Sequence, residues 1–96
     1  MNFAFHPKAE HEFYEAIAFY EEARDSLGFD FASEVYQSIS SICNYPKAWP
    51  VVSDDIRRCL INRFPYGILY SESEDEIFIY SVMHLRRDPD YWKGRI

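Results

Sequence analysis

Most of the side chains able to do chemistry lie in the second half of the chain. Arg57, Arg58, Arg63, Arg86 and Arg87 carry planar guanidinium forks, which match phosphate oxygens and stay charged at any ordinary pH. His84 adds an imidazole that can give or take a proton near neutral pH. Tyr66, Tyr70, Tyr80 and Tyr91 could stack on bases or donate a phenolic proton. Such a set suits a phosphate-bearing partner. Alternation limits how the set can converge: in a regular strand Arg57 and Arg63 share one face and Arg58 lies on the other, so the adjacent pair cannot aim into one site.

Each of these residues also has a plainer reading. Arginines rim surfaces and pair with carboxylates, of which the chain has 16. A lone histidine is more often structural than catalytic. Tyrosines at every second position are what a buried sheet needs, and Tyr66, Tyr70 and Tyr80 fit core or rim packing best. Tyr91, in the tail beside Trp92, is the least tied to a core. Trp92 either docks the tail on the sheet or is exposed as part of a partner interface. His6 and His11 have no partners at ligand spacing and read as surface.

No metal or other cofactor is expected. Cys43 and Cys59 form neither a closely spaced disulfide pattern nor a zinc-ligand motif, so both read as reduced thiols. The first residues lack a basic stretch followed by a long apolar one, and no run approaches the roughly 20 apolar residues of a membrane span. The cytoplasm, without membrane attachment, is the expected setting.

The net charge is −6, and its distribution says more than its sum. Up to Pro46, Lys8 and Arg24 face eight acids; from Lys47 onward, eight basic residues balance eight acids. A local cationic patch can therefore form on an acidic protein. At 96 residues the chain should make one domain, 1–96, and with 48% hydrophobic and 19% aromatic residues it can build a core without staples.

The elements that must position these side chains follow from periodicity. Asn2 to His6 reads as a short strand ended by Pro7, which can open a helix. Ala9, Phe13, Ala16, Ile17 and Tyr20 recur at helical spacing up to about Ser26, where Gly28 is placed to supply a left-handed terminating residue. A second helix carries Phe31, Val35, Ile39 and Ile42 on one face and stops at Tyr45-Pro46. After an irregular stretch from Lys47 to Asp55, three strands follow at Ile56 to Ile61, Tyr66 to Ser71 and Ile77 to Met83, with a hairpin tip at Glu72 to Asp75. Asp88 can cap, and Pro89 begin, a last helical turn. The fold class is α+β: an N-terminal strand, a two-helix hairpin packed on a small, mainly antiparallel sheet, and a short C-terminal helix. Strand order stays open, because both faces of the last strand are apolar enough to be buried.

This order, with FPYGILY at Phe64 to Tyr70 and HLRRDPDYWKGR at His84 to Arg95, resembles the RelE/ParE toxin superfamily, also described as plasmid-stabilisation proteins. Tyr20, Leu27-Gly28, the helix from Phe31 to Ile42 and Arg57-Arg58 extend the resemblance over nearly the whole chain. It implies the toxin of a type II toxin-antitoxin pair, neutralised by a cognate antitoxin whose C-terminal segment wraps the toxin, as a homodimer or as a heterotetramer with the antitoxin.

Two mechanisms occur among such toxins. ParE-like members bind DNA gyrase and trap its cleaved DNA complex; RelE-like members sit in the ribosome and cut mRNA. The second needs a base for the 2'-hydroxyl, a cation for the crowded phosphate and an acid for the leaving oxygen. His84, Arg86 and Tyr91 would be its catalytic set. A RelE-type nuclease, however, draws phosphate affinity from many lysines, and this chain has only Lys8, Lys47 and Lys93 within a negative total. The ParE-like branch, with no enzymatic activity, is the favoured expectation, with Arg57, Arg63, His84, Arg86, Arg87, Tyr91 and Trp92 lining one functional hollow. The remaining alternative is a non-toxic relative that only binds its antitoxin or dimerises.

Overall fold

Why the chain folds as it does is visible from its first turn. In a computed structural model describing residues 1–96, β1 (Asn2–Phe5) gives way to α1 (Pro7–Ala23) because Pro7 stands at the helix start, where its missing N–H costs nothing. The His6 side chain caps that helix, its Nδ1 accepting the Lys8 N–H at 3.1 Å. Ala9, Phe13 and Ala16 are buried along one face of α1. In α2 (Leu27–Asn44) the buried stripe is Gly28, Phe31, Val35, Ile39 and Ile42.

The connection between the helices departs from expectation. Helix α1 stops at Ala23, short of Ser26, and the left-handed residue is Ser26, with φ 71°, while Gly28 is already helical. Glu21 makes this possible: its carboxylate accepts the N–H groups of Ser26 and Gly28, each at 3.0 Å, and so caps α2 from the preceding helix. Gly28 serves another purpose. A Cβ there would lie 2.6 Å from the Ile17 carbonyl oxygen and 2.9 Å from the Glu21 Cβ, so only glycine lets the two helices approach this closely.

The sheet contains β2 (Val51–Ser53), β3 (Ile56–Leu60), β4 (Tyr66–Glu72) and β5 (Glu76–His84) as well as β1, in the order β1-β5-β4-β3-β2. The β1/β5 pairing is parallel and the others are antiparallel. Strand β2 lies in the stretch expected to be irregular; its two valines are exposed, so it lacks the alternation that marks a half-buried strand. Strand β5 carries a bulge: Tyr70 opposes Ile79 and Leu69 opposes Ser81, leaving Tyr80 as the extra residue. The helix-facing positions therefore run Ile77, Ile79, Val82 instead of alternating throughout. This switch explains why both sides of β5 are apolar.

The helices cover one face with a core of Phe13, Phe31, Val35, Ile39, Ile42, Ile68 and Tyr70, among others. Tyr20, Phe31, Phe64 and Tyr66 add edge-to-face ring contacts at 4.9 to 5.2 Å. The other face is covered by the tail. Trp92, only 2% exposed, packs on Ile56, Leu69 and Met83, and its indole N–H donates to the Pro89 carbonyl at 2.6 Å. Pro89 does not open a helix: Asp88 Oδ1 accepts the Asp90 N–H at 2.9 Å in a turn, and the only helical geometry is a single 3-10 turn at Lys93–Arg95. No helix is long and apolar enough to cross a membrane.

The Gly28 contact gives a direct test. Gly28→Ala forces α1 and α2 apart and should cost about 2 kcal/mol, the usual scale of overpacking, although alanine is the better helix former. Urea unfolding of the two proteins measures it; a neutral or stabilising result would show that the hairpin has room to spare.

Candidate functional site

The site starts from an open sheet edge. Strand β1 accompanies β5 only from Glu76 to Ile79, so the rest of β5 has no strand beside it on that side. Its peptide groups still need partners, and side chains supply them. Glu12, from α1, accepts the Val82 N–H at 3.2 Å, and Arg95, from the tail, donates to the Tyr80 carbonyl at 2.9 Å. These two side chains also bind each other as a fork, Nη1 to Oε1 at 3.0 Å and Nη2 to Oε2 at 2.9 Å. The Tyr91 hydroxyl donates to Glu12 Oε2 at 2.5 Å, and the single Ser81 hydroxyl proton is shared between Glu12 Oε1 at 3.0 Å and the Tyr91 oxygen at 2.6 Å.

The electrostatics follow from this crowding. Burial alone would push the Glu12 carboxyl up, but hydrogen bonds from Arg95, Tyr91 and Ser81 together with the Arg95 charge outweigh it and hold Glu12 below its ordinary value. Tyr91 moves the other way, to about 12, first through burial and then through its bond to the Glu12 carboxylate. Arg95, bonded to Glu12, is held more firmly in its charged form. The Glu12 and Arg95 side chains are only 14% and 10% exposed, so this ion pair is little screened by solvent.

Beside the network lies an open cavity of about 350 Å³. Glu12, Glu15, Ala16 and Phe19 of α1 form one wall; Tyr66, Val82, Met83 and His84 form the floor; Arg87 and Tyr91 close the third side. The Arg87 guanidinium stacks 4.0 Å from the Tyr91 ring centre, a cation-π contact. The His84 ring packs edge-on against Tyr66 with centres 5.2 Å apart. His84 Nδ1 accepts the Arg86 N–H at 3.1 Å, so in the neutral ring the proton sits on Nε2.

Of the residues expected to share one hollow, the structure gathers His84, Arg87 and Tyr91. Arg86 is exposed and lines no part of the cavity. Arg57 lies at the far side of the sheet, where its Nη1 donates to the Trp49 carbonyl at 2.6 Å and the Lys47 carbonyl at 3.3 Å. Arg63 pairs with Asp30 at 3.4 Å; it follows β3 in a left-handed conformation, φ 71°, so the alternation linking it to Arg57 ends before reaching it. Trp92 is buried on the opposite face of the sheet. The expected arginine-lined hollow is thus a smaller cavity with one arginine. Tyr91, expected to be the tyrosine least tied to the core, is anchored there through its phenol, which is tied to Glu12 and Ser81.

Sequence reasoning missed Glu12, Ser81 and Arg95. Glu12 had a signal, since it stands three residues after Ala9 and four before Ala16, on the apolar stripe of α1 and not on its solvent face. Arg95 had one in the resemblance, as the last residue of HLRRDPDYWKGR, but nothing in periodicity or spacing tied it to Glu12. Chemically, the cavity offers one imidazole and one guanidinium; the phenol at about 12 keeps its proton and spends it on Glu12. No three His, Cys, Asp or Glu side chains cluster as metal ligands.

Against known proteins, the model for the ParE toxin of the type II toxin-antitoxin system parDE matches residues 3–89. Among solved structures, a chain from the chromosomal ParDE toxin-antitoxin system of P. aeruginosa superposes with a TM-score of 0.73 at 14% identity, covering 88% of this chain and 95% of that one. No curated protein matches the chain in sequence.

The network predicts a defined pH response. Glu12 is depressed on folding, so its stabilisation is complete above its ordinary value of 4.5 and is lost as pH falls through the lower folded value. Glu12→Gln leaves the Arg95 charge without its partner and should cost about 3 kcal/mol at pH 7. In denaturant titrations the gap between the two proteins should narrow below pH 4.5. A gap unchanged from pH 7 to pH 3 would show that the carboxylate charge is not what Arg95 needs.

Proposed function

The chain belongs to the ParE toxin family of type II toxin-antitoxin systems, and from that membership we propose that it arrests growth by binding DNA gyrase through protein contacts and is held inactive by a cognate antitoxin. That it is a type II toxin follows from the family; the target and the manner of neutralisation are the proposal. The observation that carries the choice of target is the commitment of Tyr91. Its hydroxyl is bonded to Glu12 at 2.5 Å and lies 2.6 Å from the Ser81 hydroxyl, so it is not free to protonate a leaving oxygen.

The alternative, a ribosome-dependent mRNA endoribonuclease using His84, Arg86 and Tyr91, needs an acid, a base and a phosphate-binding cation in one place. Arg86 lines no part of the cavity, which leaves His84 to do both proton transfers beside Arg87. The net charge of −6 weighs the same way, because binding to ribosomal RNA draws on cationic surface. Recognition of a protein target uses the same features differently. Phe19 is 64% exposed at the cavity mouth, and an aromatic anchor next to an arginine is a common centre for protein-protein binding. The antitoxin would cover this surface, in a heterotetramer or on a toxin homodimer, and the cytoplasm, where gyrase works, is the setting.

The purified chain should inhibit gyrase supercoiling and trap cleaved DNA, and its expression alone should produce filamentous cells with damaged DNA and intact mRNA. Co-expression of the cognate antitoxin should restore growth. Codon-phased mRNA cuts that Arg86→Ala reduces would replace gyrase with the ribosome as target, and cells indifferent to the chain would leave only the non-toxic alternative.

A further inference from the structure

Four ion pairs join Lys or Arg to a carboxylate in the protein, and neither Arg86 nor Arg87 takes part in any of them. Two carboxylates stand in the same cavity as Arg87, yet Glu12 is given over to Arg95, and Glu15, whose Oε1 lies 3.0 Å from His11 Nε2, makes no ion pair with Arg87. Arg87 is nonetheless held in place: its guanidinium carbon lies 4.0 Å over the centre of the Tyr91 ring, and that ring is fixed by Glu12 and Ser81. Its donor edges therefore stay available in a preset orientation. His84, whose Nδ1 is occupied by the Arg86 N–H, keeps Nε2 as a second donor on the same cavity. Ala16, Phe19 and Val82 add apolar surface beside Glu12 and Glu15.

We infer that this cavity is a carboxylate-reading site for a polypeptide, in which Arg87 and His84 Nε2 receive an Asp or Glu side chain of a partner while Phe19 and Ala16 receive an apolar side chain next to it. Glu12 and Ser81 are positioning residues in this site, acting through Tyr91. The inference rests on the reading above that partner proteins cover this surface, and it adds the chemistry they must present. Charge complementarity selects the occupant. A lone carboxylate set between Arg87 and His84 meets two donors, whereas a nucleic-acid strand would carry successive phosphates along the cavity side of α1 past the exposed Glu15 and Glu22, with only Lys8 to offset them. The volume of about 350 Å³ falls at the lower end of ligand sites, in keeping with one or two side chains and not a nucleotide run.

Titration of the full-length, isotope-labelled chain with acetyl-Leu-Glu-Phe-amide, followed by NMR at the Arg87 Nε and His84 ring signals, tests this without knowledge of the natural partner. The glutamate peptide should shift both signals, and its Gln counterpart should bind about tenfold more weakly, as expected for loss of one charge-assisted hydrogen bond. Arg87→Gln should erase the difference between the peptides, and Arg87→Lys should restore only part of it, since the ammonium lacks the fork. Arg87 is exposed, and a thermal unfolding curve for each variant verifies that the fold is intact. Equal binding of the two peptides, absence of shifts at Arg87, or displacement of the peptide by a short oligouridylate at lower concentration each overturns the inference. Growth arrest is read separately: a chain that arrests cells but does not discriminate the peptides loses this site and keeps its toxin function, and the reverse result does the opposite.

Discussion

An unpaired stretch of sheet edge governs the molecule. Strand β1 ends at Phe5 because Pro7 must start a helix, yet β5 runs on to His84. Backbone groups left on that edge cannot stay dry and unbonded, since each such group costs on the order of 1 to 3 kcal/mol. Glu12 and Arg95 act as a substitute strand, one from the first helix and one from the tail. Their mutual fork then fixes where the tail lies, and the tail fixes Tyr91, Trp92 and the stacked Arg87. Removal of a single carboxylate would disturb all of these at once, which is why the site and the fold cannot be separated here.

The sheet is used on both sides by different means. Helices cover one face with a conventional aromatic and aliphatic core, while the other face is covered by Trp92 on Ile56, Leu69 and Met83. The bulge at Tyr80 makes the arrangement work, because it re-aims the end of β5 so that Val82 faces the helices and Met83 the tail. The same bulge turns the Ile79 and Tyr80 carbonyls to the outer edge, where the His6 N–H and Arg95 respectively take them up.

Much of this was legible in the sequence, and the failures have identifiable causes. The two helical stripes announced themselves because every member of each stripe packs on the same sheet face; Phe31, Val35, Ile39 and Ile42 are all buried as their spacing implies. The strands from Ile56 onward were legible through their density of Ile, Val and Tyr. Strand β2 was not, since an edge strand of three residues buries neither valine. The helix turn misled because a polar residue, Ser26, took the left-handed position usually given to glycine, while Gly28 was reserved for helix contact. In the site, His84, Arg87 and Tyr91 were legible as neighbours because they lie close along the chain at one strand end. The grouping with Arg57 and Arg63 assumed regular alternation that a left-handed residue interrupts. Glu12 went unseen since a glutamate on a helix rich in glutamates reads as solvated unless its position on the apolar stripe is noticed.

The separation of partners along the chain has a bearing on synthesis. Asn2 pairs with Glu76, and Glu12 meets Arg95 across 83 positions, so the first strand and first helix wait for almost the entire chain before their contacts exist. Long-range closures of this kind slow folding, because loop entropy must be surrendered before any bond repays it. A polypeptide emerging at about 5 to 20 residues per second would therefore spend seconds with its first half synthesised and its Arg87 cavity unbuilt. The cavity is thus among the last features to be assembled, because its walls come from α1 at one end and from His84 to Tyr91 at the other, locked together by the Glu12–Arg95 fork.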